Sequence, residues 1–176
     1  MNDIYRDPGT LEVLLSAEQI QARVAELGIE ISEHYQGQEL YVVGILKGAF
    51  VFAADLLRQL RIPCQVHFIE ASSYGKGKES SGVVTMHHKL EVQGKHVLLV
   101  EDIYDTGNTL LQVMNDLQQQ QPASLEACAL LNKDIPEKQN ISLKFQGFEI
   151  PPRFVVGYGL DYAEYYRELP CIACLD

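Results

Sequence analysis

The chain reads as an α/β domain: a parallel, twisted β-sheet with helices packed on its faces. Three observations predict this. Short, almost continuously apolar runs such as Leu40–Leu46 (LYVVGIL) and His96–Val100 (HVLLV) mark strands buried on both faces. Between the runs, apolar residues repeat at helical spacing. Strands that alternate with amphipathic helices in this way build parallel sheets.

The elements follow in order. Ser16 with Gln19 makes a capping-box pattern, and Ala17, Ile20, Val24, Leu27 and Ile31 then mark one helix face. Leu40–Leu46 is the first strand. Lys47-Gly48 interrupts the apolar run, and a helix follows with Phe50, Ala53, Ala54, Leu57 and Leu60 expected on its buried side. Cys64–Ile69 is a second strand. Ser72–Gly82 (SSYGKGKESSG) is polar, carries three glycines and has little to bury, so it is expected to be a mobile loop. Val83–His88 and His96–Val100 are expected strands. Helical spacing resumes at Leu110, Val113, Met114 and Leu117, and stops at four glutamines before Pro122. Leu125–Leu131 and Phe154–Tyr158 complete the expected strands. No internal repeat or linker divides the chain, so residues 1–176 are expected to form one domain.

Composition limits the function. Hydrophobic residues make up 47% of the chain, enough for a core. A net charge of −10 argues against nucleic acid or an anionic membrane as the main partner, because both select basic faces. No apolar run approaches the ~20 residues that span a bilayer, and Met1–Thr10 lacks a basic-then-apolar leader. An acidic chain holds an anionic small molecule only through local devices such as helix N-termini, lone lysines or a metal. Cys171 and Cys174 form a CxxC, but no second CxxC accompanies it. Three apart on a strand, the two side chains would face opposite ways. Cytoplasmic, reduced and mostly buried thiols are expected for all four cysteines. His87-His88 points apart for the same reason and makes a poor metal pair. A dinucleotide-binding domain is disfavoured, since no GxGxxG follows the first strand.

The most informative string is Val97–Leu110, VLLVEDIYDTGNTL. A buried strand leads into Glu101 and Asp102, with Asp105 three residues beyond. Thr106, Gly107, Asn108 and Thr109 then make a small polar turn before a helix. Ligands of open parallel sheets bind at the carboxyl ends of the strands. Such a turn can aim backbone N–H groups and two hydroxyls at a phosphate, aided by the helix dipole. The pattern is not a P-loop. Carboxylates beside it suit a sugar, whose ring hydroxyls donate to them.

This string resembles the phosphoribosyl-diphosphate (PRPP) motif of the type I phosphoribosyltransferase family, with Tyr104 and Asn108 departing from its commonest form. Gly44–Ala49 (GILKGA) resembles the pyrophosphate loop of the hypoxanthine-guanine branch, in which the peptide before the lysine can be cis. Ser72–Gly75 resembles the start of that branch's lid. Phe154–Tyr162 (FVVGYGLDY) and Glu164–Pro170 (EYYRELP) match the same branch closely.

The resemblance implies a type I phosphoribosyltransferase fold, with a small hood lobe formed from the chain termini. It also implies roles. Asp105 would be the catalytic base, with Glu101, Asp102 and Thr106–Thr109 holding the ribose and its phosphate. Lys47, Gly48 and Arg167 would hold pyrophosphate. Lys133, Phe154, Val155 and Asp161 would meet the purine, and Ser73 and Tyr74 would belong to the lid at 72–82. Magnesium would be the cofactor, held by Asp161 with Glu101 and Asp102. The implied substrates are PRPP and hypoxanthine or guanine, and the implied assembly is a homodimer or homotetramer. Two alternatives stay open: a nucleotide-binding regulator of the same fold, and a xanthine-preferring enzyme.

Overall fold

The structure, a computed structural model, describes residues 7–70 and 90–175. The expected loop Ser72–Gly82, with Ser73 and Tyr74, and the expected strand Val83–His88 lie outside the described residues.

After a 3-10 turn at Pro8–Thr10 come β1 (Glu12–Leu15), α1 (Ala17–His34), β2 (Leu40–Leu46), α2 (Phe50–Gln59) and β3 (Cys64–Glu70). β4 (His96–Tyr104), α3 (Asn108–Gln118), β5 (Ser124–Lys133), β6 (Phe145–Ile150), β7 (Val155–Val156) and β8 (Ile172–Cys174) complete the chain. Five strands form a parallel sheet in the order β3-β2-β4-β5-β6. Alternation along each strand splits the core in two. Val42, Leu98, Val100, Cys128 and Leu130 pack with α1 and α2. Val43, Ile45, Val97, Leu99, Ala127 and Ala129 pack with α3. The capping box of α1 forms: Gln19 N donates to Ser16 Oγ and Ser16 N donates to Gln19 Oε1.

Four details correct the sequence reading. α2 buries Ala49, Phe52, Ala53 and Leu56, while Phe50 is 43% exposed. Gly44 on β2 leaves room for the Phe68 ring of β3, which a Cβ would meet at 2.8 Å, and for Ala53 of α2. Phe154–Tyr158 does not join the parallel sheet. Only Val155–Val156 is strand, and it pairs antiparallel with β8. Gly157 and Gly159, both at φ 101°, and Tyr158 at φ 49° end it, since extended strands need negative φ. β1 and β6 were not anticipated, while β8 falls on the strand expected at Cys171–Cys174. β1, β8 and β7 make a second, three-stranded antiparallel sheet from the two ends of the chain. Finally, β4 runs on to Tyr104, so Glu101 and Asp102 lie within the strand and not beyond it.

The four cysteines are free thiols: Cys128 and Cys174 are buried, Cys64 and Cys171 half-buried. Among the described residues no helix is long and apolar enough to cross a membrane. Lys47, Asp105 and Lys133 all fall at the carboxyl ends of strands, which gathers them at one edge of the parallel sheet.

Candidate active site

A cavity of about 580 Å3 opens at that edge. It is lined by Lys47, Gly48, Asp102, Asp105 and Lys133 from the sheet ends, and by Phe154, Val155, Asp161 and Arg167 from the C-terminal segment. A recess of about 250 Å3 shares Gly48, Asp102 and Asp105 with it and adds Glu101 and Thr106–Thr109. Every described residue expected at the site lines one of these two joined spaces. Ile103, Leu160, Glu70 and Glu164 also line the larger cavity and had been given no role. Of these, Glu164 was within reach of the sequence reading, since it stands three residues before Arg167 in a matched segment.

The recess is built around an uncapped helix. Gly107 is the N-cap of α3 at φ 80°, with no side chain to offer, and no acidic residue stands in the first turn. α3 therefore presents its dipole and first amides with no capping side chain and no acid in its first turn, which suits a bound phosphate.

On the opposite wall the cations are already in contact with acids. The Leu46–Lys47 peptide is cis. Lys47 Nζ lies 3.2 Å from Glu164 Oε2. Arg167 Nη2 lies 2.8 Å from Asp161 Oδ1 and 3.5 Å from Glu164 Oε2, and its Nη1 donates to Gly159 O at 2.7 Å. The other Asp161 oxygen accepts from Glu164 N. Gly48 packs so tightly that a Cβ there would sit 1.7 Å from Asp102 Oδ2.

Glu101 and Asp102 are buried side by side. Burial, and for Glu101 the neighbouring Asp102 charge, push both carboxyls above the ordinary range, Glu101 furthest. Arg167 pulls Asp102 back in part. Elsewhere in the larger cavity, Lys133 Nζ pairs with Asp105 Oδ2 at 3.1 Å. Phe154 is 47% exposed and meets Tyr162 edge-on at 5.7 Å between ring centroids. Among the described residues, no group of three or more His, Cys, Asp or Glu is placed to enclose a metal ion.

The sequence model of the phosphoribosyl transferase domain matches residues 11–163. The chain belongs to the phosphoribosyltransferase family, in its hypoxanthine-guanine branch. It is 46% identical to the hypoxanthine-guanine phosphoribosyltransferase of Mycobacterium avium, covering 96% of this chain and 88% of that one. It is also 46% identical to the hypoxanthine phosphoribosyltransferase of Escherichia coli K12, covering 93% and 94%. The crystal structure of a hypoxanthine phosphoribosyltransferase from Staphylococcus aureus superposes with a TM-score of 0.88 at 43% identity, over 96% of this chain and 93% of that one. The phosphoribosyltransferase fold thus accounts for the five-stranded sheet and for a site at its carboxyl edge.

Proposed function

We propose that this chain transfers ribose 5-phosphate from PRPP to a ring nitrogen of hypoxanthine or guanine, forming IMP or GMP and releasing pyrophosphate. One observation carries the reading: an uncapped helix N-terminus, a lysine–arginine wall and a lysine–aspartate pair with an exposed Phe154 line two adjacent cavities that share Gly48, Asp102 and Asp105.

In this reading, the turn Thr106–Thr109 holds the 5′-phosphate. The Glu101–Asp102 pair accepts hydrogen bonds from the ribose hydroxyls. Lys47, beside Gly48, and Arg167 neutralise the departing pyrophosphate. Phe154 stacks on the base, Val155 meets it through its backbone, and Lys133 donates to its oxo group, so base and sugar are held in line. Bond breaking at the anomeric carbon leads, so positive charge develops on the sugar. Asp105 faces that carbon and takes the proton from the attacking purine nitrogen.

Oxygen donors suit magnesium, which keeps waters and substrate oxygens; Asp102 and Asp161 line the larger cavity and Glu101 the adjacent recess. Asp161, with Glu101 and Asp102, would hold it, and when bound it would supply charge neutralisation of the diphosphate. The free thiols fit a reducing cytoplasm, and a homodimer or homotetramer is the expected assembly. The test is to incubate the protein with PRPP, magnesium and each of hypoxanthine, guanine and xanthine. IMP or GMP should form; product from xanthine alone, or none from any base, overturns the reading.

A further inference from the structure

Tyr104 and Asn108, the two positions where the PRPP motif departs from its commonest form, converge on a single residue outside it. That residue is Gln139, in the connection between β5 and β6. Gln139 N donates to Thr106 O at 2.8 Å. Gln139 Nε2 donates to Asn108 Oδ1 at 2.9 Å. Tyr104 Oη donates to Gln139 O and accepts from Ile141 N, the latter at 3.3 Å. Backbone N–H, backbone carbonyl and side chain of one residue are all spent on the turn and its root.

The Tyr104 ring forms the floor of this arrangement. A Cβ at Gly107 would meet Tyr104 Cε2 at 2.5 Å, with Gln139 Cβ and Ile141 Cδ1 each at 3.3 Å. Lys138 Nζ sits 4.3 Å from the ring centroid and donates to Asn132 Oδ1. The turn is thus clasped by a segment some thirty residues further along the chain, whose Gln139 and Ile141 are not among the residues that line the recess.

We infer that Tyr104, Asn108 and Gln139 form a brace that holds the phosphate-binding turn in its binding shape before ligand arrives. They are positioning residues, acting on the phosphate through the turn. This rests on the proposed use of the recess for the 5′-phosphate. A loosened turn must be ordered at the moment of binding, which weakens the complex. The 5′-phosphate is remote from the bond that breaks, so its grip is the same in ground and transition states. Losing part of that grip raises KM and leaves kcat unchanged.

The variants are Tyr104→Phe, Asn108→Ala, Gln139→Ala and the double Asn108→Ala/Gln139→Ala. Tyr104→Phe keeps the ring but leaves Gln139 O and Ile141 N without their hydroxyl partner. For Tyr104→Phe and Gln139→Ala the expected result is a rise of about fivefold or more in KM for PRPP, with KM for the base and kcat within about twofold of wild type; Asn108→Ala, which lies in the phosphate turn itself, serves only to measure its coupling to Gln139 in PRPP binding. Gln139→Glu should not rescue, since it removes the Nε2 donor. The double variant should be no worse than the poorer single, because both truncate one contact. Direct titration of each variant with PRPP should show the same loss of affinity.

The inference is overturned if Tyr104→Phe and Gln139→Ala bind PRPP as wild type does, whatever their melting temperatures. It is also overturned if the loss falls on kcat or on the base, or if the Asn108 and Gln139 effects simply add. Wild-type protein that fails to bind PRPP would instead sink the proposed function, so the two failures are distinguishable.

Discussion

Lys133 Nζ and Asp105 Oδ2 stand 3.1 Å apart, an ion pair between the last residue of β5 and the residue that follows β4. Lys133 is the better buried, with 14% of its side chain exposed against 44% for Asp105. In the proposed function the lysine would serve the oxo group and the carboxylate the attacking ring nitrogen, so both purine contacts would start from groups that already hold each other in place.

Asp105→Asn keeps the shape and removes the base. Turnover should fall on the order of 10²-fold or more, with KM for PRPP changed much less, because the Thr106–Thr109 turn is intact. Asn caps helices about as well as Asp, so a mere capping role for Asp105 predicts near-normal turnover. Steady-state kinetics of the folded variant decide.

Lys133→Gln loses a charged donor that serves the base in both ground and transition states. KM for the purine should rise about tenfold, while KM for PRPP stays near wild type. Equal losses for both substrates would mean that Lys133 supports the whole site through Asp105.

Gly48→Ala tests the close approach behind the lysine. Its Cβ would fall 1.7 Å from Asp102 Oδ2, and the Gly48 carbonyl is itself backed by Gly159. The Lys47 backbone or the Asp102 carboxylate must shift. A displacement of that size at reacting groups costs roughly 10²-fold in turnover. Retained activity in a folded Gly48→Ala protein would show that this contact does not position the site.

Much of this site was legible because its chemistry is local in sequence. The string Glu101–Thr109 carries carboxylates, hydroxyls and a turn glycine within nine residues, and α3 begins where that glycine ends the turn. The apolar runs at β2, β4 and β5 were equally plain, being buried on both faces. What was missed depends on tertiary contact. The apolar pattern of β6 is interrupted by Gly147, whose value lies in letting the strand pass Leu130 O closely. Gln139 has an ordinary local pattern and gains its meaning from Tyr104, far along the chain.

Tyr158 should govern alkaline stability. Its ring is buried, and its hydroxyl donates to Asp55 Oδ2 on α2 at 2.7 Å, tying the C-terminal segment to the helix layer. Burial first, then the Asp55 carboxylate, raises its pKa above the ordinary 10.0. The folded state keeps a proton that the unfolded chain loses. The stabilisation is therefore complete below pH 10 and declines as pH rises toward the raised value. Tyr158→Phe should cost about 1–3 kcal/mol at neutral pH and flatten the stability curve above pH 10. Thermal unfolding of both proteins across that range measures it; an unchanged slope refutes the assignment.

Magnesium removal gives the sharpest test of the leaving-group chemistry. Glu70, Asp102, Asp105, Asp161 and Glu164 line the cavity that pyrophosphate would share with Lys47 and Arg167. Both cations are already neutralised by Glu164 and Asp161, at 3.2 and 2.8 Å. Two partnered cations are too little positive charge for a diphosphate that gains charge as its bond breaks. Excess chelator should therefore abolish turnover, and added magnesium should restore it. Asp161→Asn weakens both the proposed hold on the ion and the Arg167 pair, so half-maximal activity should need several-fold more magnesium, by analogy with the loss of a charge-assisted contact. Turnover that persists in chelator would show that the chain's own cations suffice, and the proposed division of labour would be wrong.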